Sequence, residues 1–303
     1  MPIKIERGIR KSAARIVLYG TEGIGKSTLA AKFPHPVIID TEDGTGRIDC
    51  ARVVCRDWVT LEGSLLDLAG DPQGFDTVVI DSADWAERQM LEQMLRKAGK
   101  RSIEDFGFGK GYTMLAEHVA RLLALADQIV AKGVNVCFVA HSTVKRTSPP
   151  DMDEGYDRYE LKLSRQVSPL FKEWADALLF ANYRTKLVEG SDGRKKGRGG
   201  KERIIFTERA AAWDAKNRFG LPAEISMTIE ALGPLFGAPA KVTKLSLRDL
   251  ISVATTVEQL GKIGDSIDEQ VSKGKLTDVQ VAELMGRINA RHQEIKPEVA
   301  HVA

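Results

Sequence analysis

Arg15-Ile-Val-Leu-Tyr-Gly20-Thr-Glu-Gly-Ile-Gly25-Lys-Ser-Thr28 is the stretch that decides the fold. Gly20, Thr21, Glu22, Gly23, Ile24, Gly25, Lys26 and Ser27 fit G-x-x-x-x-G-K-[ST] without a mismatch, and Thr28 follows. The apolar run Ile16–Tyr19 reads as a buried strand and Ser27–Phe33 as the start of a helix, the setting this motif needs. Glycines there let backbone N–H groups curl around phosphate oxygens, and the helix N-terminus adds its positive dipole end. Lys26 is placed to reach the β- and γ-phosphates of ATP, and Ser27 to ligate Mg²⁺.

Working outward, Val37–Asp40 is a second apolar run, followed by the acidic turn Thr41–Gly44. Arg52–Cys55 reads as a short strand and Thr60–Ala69 as a helix. Phe75–Ser82 reads as a third buried strand ending in Asp81, followed by a helix over Ala83–Ala98. Lys97–Gly111 is a glycine- and charge-rich break before a long helix over Tyr112–Lys132, and Val134–Ala140 is a further strand ending at His141. Strands alternating with helices predict an α/β fold with a mostly parallel twisted sheet flanked by helices. Beyond His141 the pattern predicts a polar loop over Thr143–Tyr156, a strand over Arg158–Leu163 and a short helix over Val167–Trp174. Ala177–Tyr183 and Arg203–Thr207 then flank a basic tip, Ser191–Lys201. Two capping boxes, Thr255–Glu258 and Thr277–Gln280, open helices of a small C-terminal appendage. The expected division is 1–235 for the main domain and 240–303 for the helical tail.

Asp81, at the end of its apolar run, is where an acid supporting Mg²⁺ belongs; a helix-capping aspartate is the plain alternative. Glu42, just beyond the strand after the P-loop helix, is the expected base for water, with Asp40 and Asp43 competing. His141 is expected to sense the γ-phosphate; a hydrogen-bonded structural histidine is the alternative.

The order of these parts resembles the RecA-like recombinase core. The likeness is carried further by Asp214-Ala-Lys216-Asn-Arg218-Phe-Gly220, similar to the K-x-R element of RecA-like and DnaB-type ring or filament ATPases. More narrowly, the P-loop, Phe75–Ser82, Gly107–Tyr112, Ala140-His141, Ala175-Asp176 and Ala215–Arg218 look like phage nucleotide-binding or single-strand annealing proteins. The resemblance covers roughly residues 10–225. It implies catalysis by Glu42, Lys26 and His141, with Lys216 and Arg218 reaching a neighbouring subunit's γ-phosphate. It also implies homo-oligomerisation as ring or filament, single-stranded DNA as partner, and a single-strand-binding protein or other recombination factor beside it. RecA has glutamine where His141 stands.

Three segments carry the cations and aromatics that a single-strand site needs. They are Lys97, Lys100, Arg101, Phe106, Phe108 and Lys110; then Lys145, Arg146, Arg158, Lys162 and Arg165; then Arg194, Lys195, Lys196 and Arg198. The overall charge gives no such signal, since 44 basic and 42 acidic residues leave +2. The expected activity is therefore a Mg²⁺-dependent ATPase that anneals or pairs strands in phage-type recombination. A hexameric helicase or loader motor and an ATP-dependent switch controlling a protein partner are the alternatives. Three cysteines without a C-x-x-C pair, no secretory signal pattern and no membrane-span run predict a cytoplasmic protein, in the bacterial host if phage-encoded.

Overall fold

The computed structural model describes residues 7–8, 12–148, 154–189, 195–237, 247, 251, 254, 257–273 and 276–295, with only the backbone described at 185–189 and 195–199. It divides into two compact units, residues 1–241 and 242–303.

The first unit begins with β1 (Arg15–Gly20), α1 (Lys26–Ala30), β2 (Pro36–Asp40) and β3 (Ala51–Val54). It continues through α2 (Trp58–Gly70), β4 (Thr77–Asp81), α3 (Ala83–Ala98), a 3-10 turn (Ile103–Phe106) and α4 (Lys110–Ala131). Then come β5 (Asn135–Thr147), β6 (Tyr156–Leu161), α5 (Ser168–Trp174), β7 (Ala177–Glu189), β8 (Lys195–Phe206), β9 (Lys216–Asn217) and β10 (Glu224–Ser226). The strand order is β10-β8-β7-β1-β5-β4-β2-β3, with β6 on β5 and β9 on β7. From β7 to β3 neighbours run parallel; β8, β9, β10 and β6 pair antiparallel. This is the expected α/β architecture: a mostly parallel mixed sheet flanked by helices.

The continuous apolar run of β1 is explained by burial on both faces. Val17 and Tyr19 join Phe138, Phe180 and the buried sides of α2, α3, α4 and α5. Ile16 and Leu18 join Ile24, Leu29, Val139 and Leu179 on the opposite face, under α1. Alternation along a strand sends successive side chains into different layers. In α4 the buried Leu115, Val119, Leu122, Ala126 and Ile129 follow helical spacing. Asp57 caps α2 by accepting from Thr60 N at 2.9 Å, and Gly99 at φ 61° ends α3.

Parallel β1 and β7 approach closely at the P-loop. A Cβ on Gly20 would lie 2.0 Å from Ala181 O, so only glycine fits there.

Two expectations are corrected. The polar loop expected over Thr143–Tyr156 is largely a hairpin: β5 runs on to Thr147 and pairs with β6, from Ser142 opposite Leu161 to Thr147 opposite Tyr156. The basic tip is shorter than expected, because Lys195–Lys201 belong to β8. Arg194 lies outside the described residues, as do the side chains of Lys195, Lys196 and Arg198.

In the second unit α6 (Val257–Ser272) and α7 (Asp278–Ile295) gather Leu260, Ile263, Ile267 and Leu284 around Ile251 and Ala254. The second capping box forms: Thr277 N donates to Gln280 Oε1 at 2.9 Å and Gln280 N to Thr277 Oγ1 at 3.4 Å. Thr255, which opens the first box, lies outside the described residues. Among the described residues no helix is long and apolar enough to cross a membrane.

Candidate active site

The C-terminal ends of β1, β2 and β4 and the middle of β5 converge because these strands are parallel neighbours. Gly20 pairs with His141, and Asp40 with Asp81. The cavity they enclose, about 250 Å³, is lined by Gly23, Gly25, Lys26, Ser27, Thr28, Glu42, Ile48, Asp81 and His141. Gly25, at φ 100°, precedes α1 in a left-handed backbone conformation that favours glycine. Lys26 is buried, and its ammonium donates to Gly20 O at 3.0 Å and Thr21 O at 2.9 Å. Burial lowers its pKa, against the pull of Asp81, Asp84, Glu42 and Glu22.

Asp81 is equally enclosed. Burial pushes its carboxyl up to about 6, although a Ser27 hydrogen bond and Lys26 favour the charge. The following peptide, Asp81–Ser82, is cis. Ser82 N donates to Thr41 Oγ1 at 2.7 Å and Thr41 Oγ1 to Ser82 O at 3.0 Å, tying β4 to the turn after β2. Gln89 of α3 secures the same turn, donating to Thr41 O at 3.1 Å and Cys55 O at 2.8 Å.

The geometry separates the three competing acids. Asp40 is buried, and its oxygens accept from Glu42 N, Gly44 N, Thr45 N and Thr45 Oγ1; it staples the turn. Asp43 is exposed and pairs with Arg56 at 2.7 Å. Glu42 lines the cavity, with Oε1 accepting from Ser82 Oγ and lying 3.8 Å from His141 Nδ1.

His141 has a partner that the sequence reading did not single out. Asp84, in the first turn of α3, accepts from His141 N at 3.0 Å and lies 2.9 Å from His141 Nδ1. That hydrogen bond raises the histidine's pKa, against burial. Burial opposes charge on Asp84, but the bonds from His141 hold its carboxyl below the usual range. Its position three residues after Asp81 was the available signal. Arg203 of β8 was also missed: its Nη1 donates to Ile24 O at 3.1 Å.

Lys216 and Arg218 sit elsewhere. Lys216 is opposite Leu178, near the start of β7 and three residues before Ala181, the partner of Gly20. Lys216 Nζ donates to Lys172 O at 3.3 Å and Glu173 O at 3.0 Å, and burial lowers its pKa. Arg218 pairs with Asp176 at 2.7 Å and is largely exposed.

The expected nucleic-acid contacts differ in setting. Lys97, Arg101, Lys110, Arg146 and Arg165 are exposed, and Phe108 stands fully in solvent at φ 45°. Lys100 donates to Asp105 O at 2.6 Å and lies over the Phe106 ring, which packs on the core. Lys145 pairs with Glu160 at 3.6 Å and Lys162 with Glu22 at 3.3 Å. Arg158 is buried on Asp214, so it is not a surface cation. A charge held that deeply survives only beside its counter-ion.

The donor set fits a nucleoside triphosphate with Mg²⁺. Four carboxylates act on Lys26, which would repel phosphate unless a divalent cation came with it. Thr21 Oγ1 is buried without a hydrogen-bond partner inside the loop. Ser27 and Asp81 would hold the metal, and Lys26 the phosphates.

A family profile described as AAA domain matches residues 12–219. The chain belongs to this AAA domain family. It is an AAA-type P-loop ATPase domain, and the match spans the P-loop, Glu42, Asp81, His141 and the Lys216–Arg218 segment. A comparison with curated proteins returns no match. Among solved structures, the flagellar accessory protein FlaH from Methanocaldococcus jannaschii is similar at 14% identity and a TM-score of 0.32, over 64% of this chain and 85% of that one.

Proposed function

We propose that this AAA domain is a Mg²⁺-dependent ATPase in which Glu42 activates water and His141 reads the terminal phosphate. The observation that carries it is the convergence of Lys26, Ser27, Glu42, Asp81 and His141 on one cavity. Bound Mg²⁺ would neutralise phosphate charge and polarise the bond to the leaving oxygen. The chain's residues supply the rest. Lys26 binds the β- and γ-phosphates. Glu42 accepts the proton from water, and the Ser82 hydroxyl fixes the orientation of its carboxylate. Asp84 holds the His141 ring toward the cavity.

The finer proposal is that hydrolysis serves a RecA-like oligomer that anneals or pairs single-stranded DNA in phage-type recombination. The order of parts supports it, as do the exposed Phe108 and the cations near it. Neither Lys216 nor Arg218 is among the described residues that line the phosphate cavity, and in this reading they serve a neighbour's.

Steady-state hydrolysis with and without single-stranded DNA tests both levels. Lys26→Ala is expected to lose ATP binding. Glu42→Gln is expected to keep binding while the rate falls by about 10²–10⁴-fold. Single-stranded DNA is expected to raise the wild-type rate. Indifference to every nucleic acid would remove the DNA proposal and leave the ATPase standing. Directional unwinding without annealing would favour the motor alternative.

A further inference from the structure

A second pocket, shallow and largely open to solvent, lies beside the P-loop on its other side. It measures about 520 Å³ and is lined by Tyr183, Gly200, Lys201 and Arg203. Tyr183 and Arg203 are directly opposite in the β7–β8 pair. The two cavities meet at Gly25: this glycine lines the first, and a Cβ on it would lie 2.8 Å from Arg203 Nη1.

The topology gives this adjacency a direction. Asp81 and His141 lie on β4 and β5, to one side of β1, and Glu42 follows β2 on that same side. Strands β7 and β8 lie on the other side of β1. A phosphate chain whose terminal group faces Glu42, Asp81 and His141 therefore leads back along the P-loop toward β7 and β8. Its organic end would then lie toward the second pocket.

The lining there suits a nucleoside. Tyr183 is 38% exposed and lines the pocket, so it can offer a surface for stacking. Arg203 and Lys201 supply positive charge where a sugar would join the phosphates. Neighbouring acids are already engaged, since Glu202 and Glu224 both pair with Arg184, at 3.0 and 2.8 Å. Gly200 leaves little room for a side chain, because a Cβ would stand 3.1 Å from Arg184 O.

We propose that the cavity of Tyr183, Gly200, Lys201 and Arg203 binds the nucleoside of the triphosphate, with the base stacked on Tyr183. The proposal rests on the ATPase reading above. Binding of Mg²⁺·ATP and of Mg²⁺·tripolyphosphate, which lacks a nucleoside, is measured calorimetrically for wild type, Tyr183→Ala, Tyr183→Phe and Lys26→Ala. Tyr183→Ala is expected to weaken ATP by about tenfold and leave tripolyphosphate unchanged. Tyr183→Phe, which keeps the ring, is expected to bind ATP as wild type does. Lys26→Ala is expected to lose both ligands. If Tyr183→Ala binds ATP like wild type, or loses both ligands equally, the nucleoside proposal is overturned while Lys26→Ala still reports on the phosphate site. If wild type binds neither ligand, the phosphate-site reading fails and this proposal fails with it.

Discussion

Among single residues, Asp81 shows the conflict between stability and function most directly. Its ordinary value of 3.8 rises to about 6 because burial penalises the charge. A carboxyl raised on folding leaves stability intact below its unfolded value and removes it as pH climbs through its folded value. From 3.8 to about 6, that loss is on the order of 3 kcal/mol for the nucleotide-free protein. Asp81→Asn is therefore expected to melt at higher temperature than wild type above pH 7. The two should converge below pH 4, and the variant's Mg²⁺-dependent hydrolysis should be lost. Thermal melts across pH, set beside activity, check this; an unchanged or lowered melting temperature at pH 8 would contradict it. Asp81 was legible from sequence because it ends an unbroken apolar run. Asp84 was not: its role depends on His141, which folding brings to it from 57 residues away. Arg203 was equally hidden, since its contact with Ile24 depends on the register of β8.

At the level of elements, β1, β4 and α3 were readable from local pattern because each packs on its own periodic apolar positions. The β5–β6 hairpin was readable only in part: alternation over Arg158–Leu163 marked β6, whereas Ser142–Thr147 are mostly polar, and what holds them as strand is pairing with β6. The glycine-rich Lys195–Lys201 segment misled for the same reason. Local composition suggested a loop, whereas antiparallel pairing with β7 makes it strand. The β1–β7 contact gives a sharp test of element packing. Gly20→Ala places a methyl on Ala181 O, and backbone there has no room to yield. The variant is expected to lose at least about 2 kcal/mol in urea unfolding and to bind ATP poorly. Gly23→Ala meets no neighbour, but its φ of 71° still strains a side chain. It should cost roughly 1 kcal/mol. Equal stabilities for the two variants would show that close strand approach is not what Gly20 provides.

Across the whole molecule, the open matter is whether one chain completes its own site. Lys216 and Arg218 are not among the described residues that line the phosphate cavity; Lys216 is held by carbonyls of α5 and Arg218 by Asp176. If they serve a neighbouring copy, two inactive variants repair each other. Lys26→Ala retains Lys216 and Arg218, and Lys216→Ala retains an intact P-loop. An equimolar mixture is expected to regain a substantial part of the wild-type rate under conditions where each alone is inactive. Hydrolysis measured against mixing ratio checks this, and a mixture as inactive as its parts would return both cations to a role within one subunit.

The β5–β6 hairpin has a mechanical consequence. His141, Glu42's neighbour in the cavity, and Thr147, at the hairpin's outer end, belong to one unbroken strand. Lys162 sits at the root, its N–H on His141 O and its ammonium on Glu22 of the phosphate loop. From root to tip is roughly 20 Å of extended chain with no joint to absorb a tilt. A few degrees of rotation about His141 would therefore sweep the far end through an ångström or more. If His141 acts as proposed, the hairpin is a pointer whose pivot lies in the candidate site.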